Sequence, residues 1–192
     1  EHLGLGDLRF SGRSATETRS LCDLCERARP PFHQAVAYGV YEGTLRALIH
    51  LLKYERIAAV AAPIGELLAN SIVQFKDLPD TLTVVAVPLH TSKERERGFN
   101  QTILLAEAAV RALRRGHPQM NFELALRALG RQRSTESQSG LSSRQRRLNL
   151  RGAFFVAEPE RIAGRSILLL DDIYTTGATA RECTQTLLRA GA

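Results

Sequence analysis

A short segment near the end of the chain constrains its fold more than any other feature. It runs Ile167-Leu-Leu-Leu-Asp-Asp-Ile-Tyr-Thr-Thr-Gly-Ala-Thr179. Its four leading apolar residues predict a buried strand at Ile167–Leu170, and a polar turn then leads into a helix through Cys183, Leu187 and Ala190. Strands that alternate with helices are typical of α/β proteins. We therefore predict an α/β fold with a mostly parallel sheet flanked by helices.

The turn in this segment carries groups that can bind a phosphorylated sugar. Asp171 and Asp172 follow the strand directly, at the edge where open α/β sheets bind ligands. The next residues offer backbone amides and hydroxyls at a helix amino terminus, which favours a phosphate dianion: Thr175, Thr176, Gly177, Ala178 and Thr179. Two acids beside a phosphate would repel it, unless the ligand also offers hydroxyls or a Mg²⁺ ion on a second phosphate. A ribose 5-phosphate meets that condition, with its hydroxyls on the two acids.

Apolar residues at helical spacing predict three further helices, and two short apolar runs predict strands. The helices are expected around Leu45–Leu52, from Pro63 to Phe75 and from Phe99 to Leu113, and the strands at Leu82–Val87 and Ala153–Val156. The rest of the chain between these elements is predicted to be loop, with no internal repeat.

Residues 130–151 form the most basic stretch of the chain. They are rich in Arg, Ser and Gln and lack a continuous apolar face, so they are predicted to form a long mobile loop with a short helix near 142–148. The whole chain has a formal charge of +6, which favours anionic partners such as small phosphates or nucleic acid. The absence of Trp argues against a base-stacking platform.

Composition and missing motifs exclude several classes of protein. The chain has 192 residues, of which 44% are hydrophobic and 24% charged, as in ordinary globular proteins. It has no apolar run of the roughly 18–20 residues that a membrane span needs and no signal peptide, so we expect a cytoplasmic protein. P-loop, zinc-protease and dinucleotide-binding motifs are absent. The opening Glu1 and the ending Arg189–Ala192 favour a fragment of a longer protein.

Several blocks of the sequence resemble a known family. The segment Ile167–Thr179 resembles the 5-phosphoribosyl pyrophosphate loop of type I phosphoribosyltransferases. Val84–His90 with Arg95-Glu-Arg-Gly-Phe-Asn-Gln101 is similar to the strand, pyrophosphate loop and RGFNQ segment of the ComF competence-protein family. Further blocks resemble the same family in the same order along the chain: Tyr41–Gly43, Leu52–Tyr54, Gln138–Ser142, Arg146–Asn149 and Gly152–Phe154. The chain is thus identified as a member of that family.

The resemblance implies a type I phosphoribosyltransferase-like fold that binds phosphoribosyl pyrophosphate with Mg²⁺. It implies that Asp171, Asp172, Arg95 and Arg97 serve catalysis and that a loop of Pro88, Leu89 and His90 contacts the pyrophosphate group. Physical chemistry supports these roles, because Pro88–His90 end a buried strand and arginine donors match phosphate oxygens in pairs. For the two arginines a solvated loop remains the alternative. Gly98 is expected to free a turn, and Asn100 to cap the following helix.

The amino-terminal region contains half of a metal site. Cys22 and Cys25 supply two of the four ligands that structural zinc requires. The resemblance implies an amino-terminal zinc ribbon with a further Cys pair upstream, so zinc is expected in the complete protein. We divide the chain into a partial zinc-ribbon-like module with its linker, residues 1–34, and a phosphoribosyltransferase-like domain, residues 35–192. Cys183 and His50 are expected to be structural.

The resemblance implies a role in natural competence, the passage of incoming single-stranded DNA into the cytoplasm. The implied partners are single-stranded DNA, the competence helicase and DNA-processing proteins. Two hypotheses follow for the site. The first is a phosphoribosyltransferase, which in one version acts in nucleobase salvage without a DNA role. The second is a binding protein that has kept the phosphoribosyl pyrophosphate site as a sensor or scaffold.

Overall fold

The computed structural model describes residues 29–75, 77–133 and 149–192, and the account below concerns the compact unit Pro31–Ala192. Its helices are α1 (Gly43–Lys53), α2 (Ala61–Ile72), α3 (Thr91–Arg97), α4 (Gln101–Gly116) and α5 (Ala178–Arg189), with 3-10 turns at Ala58–Val60 and Pro159–Arg161. Its strands are β1 (Thr81–Ala86), β2 (Asn121–Leu124), β3 (Leu129–Arg131), β4 (Phe154–Val156) and β5 (Ile167–Leu170). None of the helices in these ranges is long and apolar enough to cross a bilayer.

The main sheet has three parallel strands in the order β2-β1-β5. Val84 in the central strand pairs with Leu124 on one side and with Leu168 on the other. Strands β3 and β4 form a separate antiparallel pair, in which Gly130 faces Phe155. These findings confirm the predicted α/β fold with a parallel sheet flanked by helices.

Alternate residues of the strands fill two cores on opposite faces of the sheet. Leu168 and Leu170 join the side chains of α2 and α4 on one face, whereas Ile167 and Leu169 pack with α5, β3 and β4 on the other. This alternation is expected of a strand buried on both faces. Cys183 lies completely buried in the second core, which confirms its expected structural role.

Helices α2 and α4 pack closely because a glycine lies at their crossing. A Cβ atom built on Gly65 would lie 2.4 Å from the Ala108 Cβ and 2.7 Å from the Ala108 carbonyl carbon. These distances are far shorter than a van der Waals contact, and one of them is to backbone. The short side chains of this crossing thus set the position of α4, whose first residues contribute to the candidate site described below.

The predicted elements are confirmed with small shifts of their ends. Strand β5 covers the predicted Ile167–Leu170, and β1 begins and ends one residue before the predicted Leu82–Val87. Helix α2 begins at Ala61, which places Pro63 within its first turn, where the missing amide proton costs no hydrogen bond.

Three elements differ from the sequence-based prediction. Helix α3 lies in what was predicted to be a polar loop, and none of its residues is buried, so it has no apolar stripe for a pattern to detect. Strands β2 and β3 were not predicted, because they are only four and three residues long and give a weak pattern in the sequence. Since β3 covers Leu129–Arg131, the loop predicted for 130–151 was wrong at its first residues, and the helix predicted near 142–148 lies outside the described residues.

Candidate ligand site at the carboxyl edge of the sheet

The carboxyl ends of β1 and β5 lie side by side and bring the predicted site residues together. The amide of Val87 donates to the carbonyl of Leu170 at 2.9 Å, so the chain after each strand leaves the sheet at the same edge. The acids Asp171 and Asp172 follow β5, and the segment Pro88–His90 follows β1. The structure therefore places these two predicted groups next to each other, as the parallel order of the strands requires.

Asp172 is held by two donors from distant parts of the chain. The ammonium of Lys53 lies 2.7 Å from its Oδ2 atom, and the side-chain amide of Gln101 donates to the same oxygen at 2.8 Å. The Lys53 side chain is 13% exposed and that of Asp172 is 7% exposed, so water screens this ion pair weakly. Sequence reasoning assigned neither donor a role, although both residues lie within the blocks that resemble the family.

Asp171 is a deeply placed carboxyl that still borders open space. Its Oδ1 atom accepts a hydrogen bond of 2.9 Å from the amide of Asp172. Burial, and next the neighbouring Asp172 carboxylate, raise the pKa of Asp171 well above its usual range, and the ammonium of Lys53 opposes them. Asp171 also lines two cavities, of about 590 and 250 Å³. The acid is thus kept at an energetic cost in a place that a ligand can reach.

We expect Asp171→Asn to raise the free energy of unfolding at pH 7 by about 1–3 kcal/mol, the usual cost of a poorly compensated buried polar group. The folded state holds a proton on Asp171 at pH values where the unfolded chain has released it. The free energy of unfolding of the original protein therefore falls as the pH rises above about 4, the ordinary pKa of aspartate. Urea unfolding from pH 4 to 8 measures this difference.

The gap between the variant and the original protein should narrow as the pH falls toward 4, because the aspartate of the unfolded chain then also takes up its proton. Asp80→Asn, at an exposed position, serves as the control and should show little change. If the variant is less stable at pH 7, or if the gap does not depend on pH, then burial of Asp171 does not make its ionisation costly.

The predicted phosphate loop has the backbone geometry and an unused donor that a phosphate site needs. Gly177 has φ 70°, a left-handed conformation. It directly precedes α5, and it makes no side-chain hydrogen bond that would cap the helix. The hydroxyl of Thr176 is buried and has no hydrogen-bond partner. Buried polar groups are rarely left unpaired, so an oxygen-rich ligand would satisfy this turn.

Gly177→Ala should lower the free energy of unfolding by about 1–2 kcal/mol, the cost of a Cβ atom in the left-handed region. The new Cβ would also lie 2.4 Å from the Tyr174 hydroxyl, which can move because it is the end of a side chain. Gly116→Ala is the matched control, because that glycine ends α4 with nothing within 4 Å of a new Cβ. Equal effects of the two changes on thermal unfolding would be inconsistent with a glycine-specific turn.

The segment after β1 is organised by two helix caps. The Nδ1 atom of His90 accepts from the amide of Ser92 at 3.2 Å and so caps α3. Asn100 caps α4, since its Oδ1 accepts from the Thr102 amide at 3.0 Å, and its Nδ2 donates to the Val87 carbonyl at 3.1 Å. The expected capping role of Asn100 is confirmed, as is the turn at Gly98, which has φ 88°. The bond between Asn100 and Val87 ties the start of α4 to the residue after β1.

The two predicted arginines lie in different surroundings. Arg95 is exposed on α3. Arg97 is half-buried, donates to the Oε1 atom of Gln101, and lies with its guanidinium 5.8 Å from the centre of the Tyr54 ring. Since Gln101 also bonds Asp172, Arg97 belongs to a network that reaches the acid pair. The roles predicted for both arginines in pyrophosphate binding stay predictions.

The structure describes no complete metal centre. Cys22 and Cys25 lie outside the described residues, so the zinc prediction stays a prediction. Within residues 29–75, 77–133 and 149–192, no group of three His, Cys, Asp or Glu side chains could hold a metal ion.

The smaller of the two cavities lies directly beside the acid pair. It has a volume of about 250 Å³ and is lined by Asp171–Tyr174, by the segment Val36–Tyr41 and by side chains of α1, α2 and α4. The larger cavity follows β5 toward Leu188 and is mostly apolar. Residues 175–179 line neither of these two cavities, so the predicted phosphate loop lies outside both.

The fold and this edge define the class of the protein: an α/β protein with a parallel sheet and polar loops at its carboxyl edge. The chain is 36% identical to DNA utilization protein YhgH of Escherichia coli (strain K12) over 186 residues, which cover 94% of this chain and 77% of that protein. It is 30% identical to Competence protein F of Haemophilus influenzae over 176 residues, 88% and 73% of the two chains. The chain belongs to the ComF family.

Competence protein ComFC of Bacillus subtilis is 34% identical over 117 residues, which cover 60% of this chain and 42% of that protein. No protein-family model matches the chain, and no solved structure matches it significantly. The assignment to the family thus rests on the similarity to these relatives, whereas the arrangement of the site comes from the structure.

Proposed function

We propose that this protein binds 5-phosphoribosyl pyrophosphate with Mg²⁺ at the carboxyl edge of its sheet, on a type I phosphoribosyltransferase-like fold. The buried Thr176 hydroxyl without a partner is the observation that carries the proposal, because it marks the turn as a place for an oxygen-rich group. The left-handed Gly177 and the amino terminus of α5 supply amides at the same turn. A phosphate dianion is the group that these donors bind best.

The acids next to the turn select for a sugar rather than for a bare phosphate. Carboxylates accept hydrogen bonds from hydroxyls but repel phosphate oxygens, so Asp171 and Asp172 suit the 2′- and 3′-hydroxyls of a ribose. Asp172 and Thr176 are four residues apart in sequence, so the acids and the turn belong to one continuous segment after β5. In this proposal the sugar lies at the acids, and its phosphate lies at the amides of the turn.

The pyrophosphate end of the ligand faces the segment after β1 in this proposal. Pro88–His90 lie beside the acids, and Arg97 is connected to them through Gln101. Mg²⁺, when bound, supplies charge neutralisation at the pyrophosphate oxygens. Arg95, which is exposed on α3, is free to turn toward the same group.

We further propose that the protein supports the use of incoming DNA during natural competence. The names of its relatives support this second proposal, since two of them are competence proteins and a third is a DNA utilization protein. The basic stretch around residues 131–151 adds a physical basis, because arginines neutralise DNA phosphates and release counterions. Single-stranded DNA and DNA-processing proteins are the proposed partners.

Calorimetry with phosphoribosyl pyrophosphate and Mg²⁺ tests the first part of the proposal. Saturable binding at one site is the expected result, and no heat of binding at millimolar ligand would overturn it. Adding a panel of nucleobases and measuring pyrophosphate release then separates two activities. Steady release with one base identifies a transferase that displaces pyrophosphate from C1 of the ribose, whereas binding without release across the panel identifies a sensor.

A further inference from the structure

We propose that Lys53 is a positioning residue of the sugar site, which together with Gln101 fixes the carboxylate of Asp172 for the ribose hydroxyls. This inference rests on the proposed function, because it assigns these two side chains a role in binding the same ligand. Lys53 ends α1, Gln101 begins α4, and Asp172 follows β5. Three elements thus meet at one carboxylate.

Both donors bind the same oxygen atom, which orients the carboxylate. The ammonium of Lys53 is 2.7 Å and the amide of Gln101 is 2.8 Å from Oδ2 of Asp172. Two donors that converge on one oxygen hold the carboxylate plane in place, and neither of them occupies Oδ1. A rigid acceptor loses less entropy on binding a ligand than a mobile one does, which is how preorganised sites gain affinity.

The position of Lys53 is fixed by packing and is not a consequence of a surface ion pair. Ile49 and Leu52 of α1 are buried against α2 and Leu105 of α4. A lysine at the end of a helix is usually a solvated cation that complements the helix dipole. Here the side chain is only 13% exposed and turns inward to the acid. Burial of an ammonium is costly, so the contact with Asp172 must offset that cost.

The charge of Lys53 also explains how two acids can lie beside an anionic ligand. The Asp172 carboxylate raises the pKa of Asp171, and the ammonium of Lys53 opposes that effect. Without Lys53 the two carboxylates would present more negative charge to a sugar phosphate. The ammonium therefore orients one acid and lowers the repulsion that the ligand meets from the pair.

Gln101 extends this role toward the segment after β1. Its Nε2 donates to Asp172, and its Oε1 accepts from Arg97, whose guanidinium lies over the Tyr54 ring. Tyr54 directly follows Lys53 in the chain. These contacts join the acid pair to the arginine proposed to meet pyrophosphate, and the buried Gln101 at the start of α4 is the residue that connects them.

Two ligands and three variants test the inference. Lys53→Met is expected to weaken binding of ribose 5-phosphate about tenfold or more, the effect of losing a charged hydrogen bond. It should weaken the binding of inorganic phosphate by a clearly smaller factor, since phosphate meets the loss of positive charge but lacks the hydroxyls that Asp172 accepts. Lys53→Arg should restore most of the affinity for ribose 5-phosphate. Lys93→Met removes one exposed cation of α3 and serves as the charge control.

The outcomes separate this inference from the proposed function. If the original protein binds neither ribose 5-phosphate nor phosphoribosyl pyrophosphate, the proposed function fails, and this inference fails with it. If the original protein binds and Lys53→Met binds equally well, only the inference fails. If Lys53→Met weakens both ligands equally, Lys53 attracts anions in general and does not position Asp172. Folding of each variant is verified by its thermal unfolding.

Discussion

A variant with Asp171→Asn and Asp172→Asn should bind phosphoribosyl pyrophosphate with Mg²⁺ about 100-fold more weakly than the original protein. Two hydrogen bonds from ribose hydroxyls to carboxylates are each worth about 1.5–3 kcal/mol, and about 1.4 kcal/mol corresponds to a tenfold change in affinity. Calorimetry on both proteins under the same salt conditions measures the change.

The direction of this effect separates two explanations of the acid pair. If the acids are only negative charges near an anion, their removal reduces repulsion and binding becomes tighter. If they accept the sugar hydroxyls, binding becomes weaker in spite of the reduced repulsion. Asp77→Asn with Asp80→Asn removes the same charge from exposed positions and is the control. Equal or tighter binding by the Asp171 and Asp172 variant would remove these acids from the site.

Gly65→Leu should destabilise the protein by about 3 kcal/mol or more, beyond the common range for a single substitution. Even a Cβ at this position would lie 2.7 Å from the Ala108 carbonyl carbon, so α2 and α4 must separate to accommodate any side chain. Each kcal/mol corresponds to about 2–4 °C in the midpoint of thermal unfolding for a chain of this size. Calorimetry or circular dichroism on heating measures the shift.

The same helix offers a control for this prediction. Ala62→Leu places the same side chain, leucine, at an exposed position of α2. It should leave the melting temperature nearly unchanged. If Gly65→Leu and Ala62→Leu behaved alike, the close approach of α2 and α4 would be wrong. The position of Asn100 and Gln101 at the start of α4 would then lose its physical basis.

The part of the fold that the sequence predicted best is the part with the strongest local signals. Ile167–Leu170 is a continuous apolar run before a polar turn, and both ends of β5 were predicted correctly. Asn100 was also recognised, because a cap residue acts on an amide two positions away in sequence. Local hydrogen bonds and apolar runs leave a pattern within a short window of sequence.

The contacts that organise the site leave no such pattern. Gln101 and Asp172 are 71 residues apart, and Lys53 comes from a third element. A single sequence shows which side chains are charged but not which of them meet, and so Lys53 appeared only as part of a block that resembles the family. Helix α3 was missed for a related reason, since none of its side chains is buried and its residues alternate in charge without an apolar stripe.

The central claim is that the start of α5 binds a sugar's phosphate while the adjacent acids bind the sugar, and nuclear magnetic resonance of backbone amides tests it most directly. On titration with ribose 5-phosphate, the amide signals of Thr176, Gly177 and Ala178 should shift and saturate together, and free ribose should move them far less. The claim is contradicted if those three signals stay unchanged while the ligand saturates signals elsewhere in the protein.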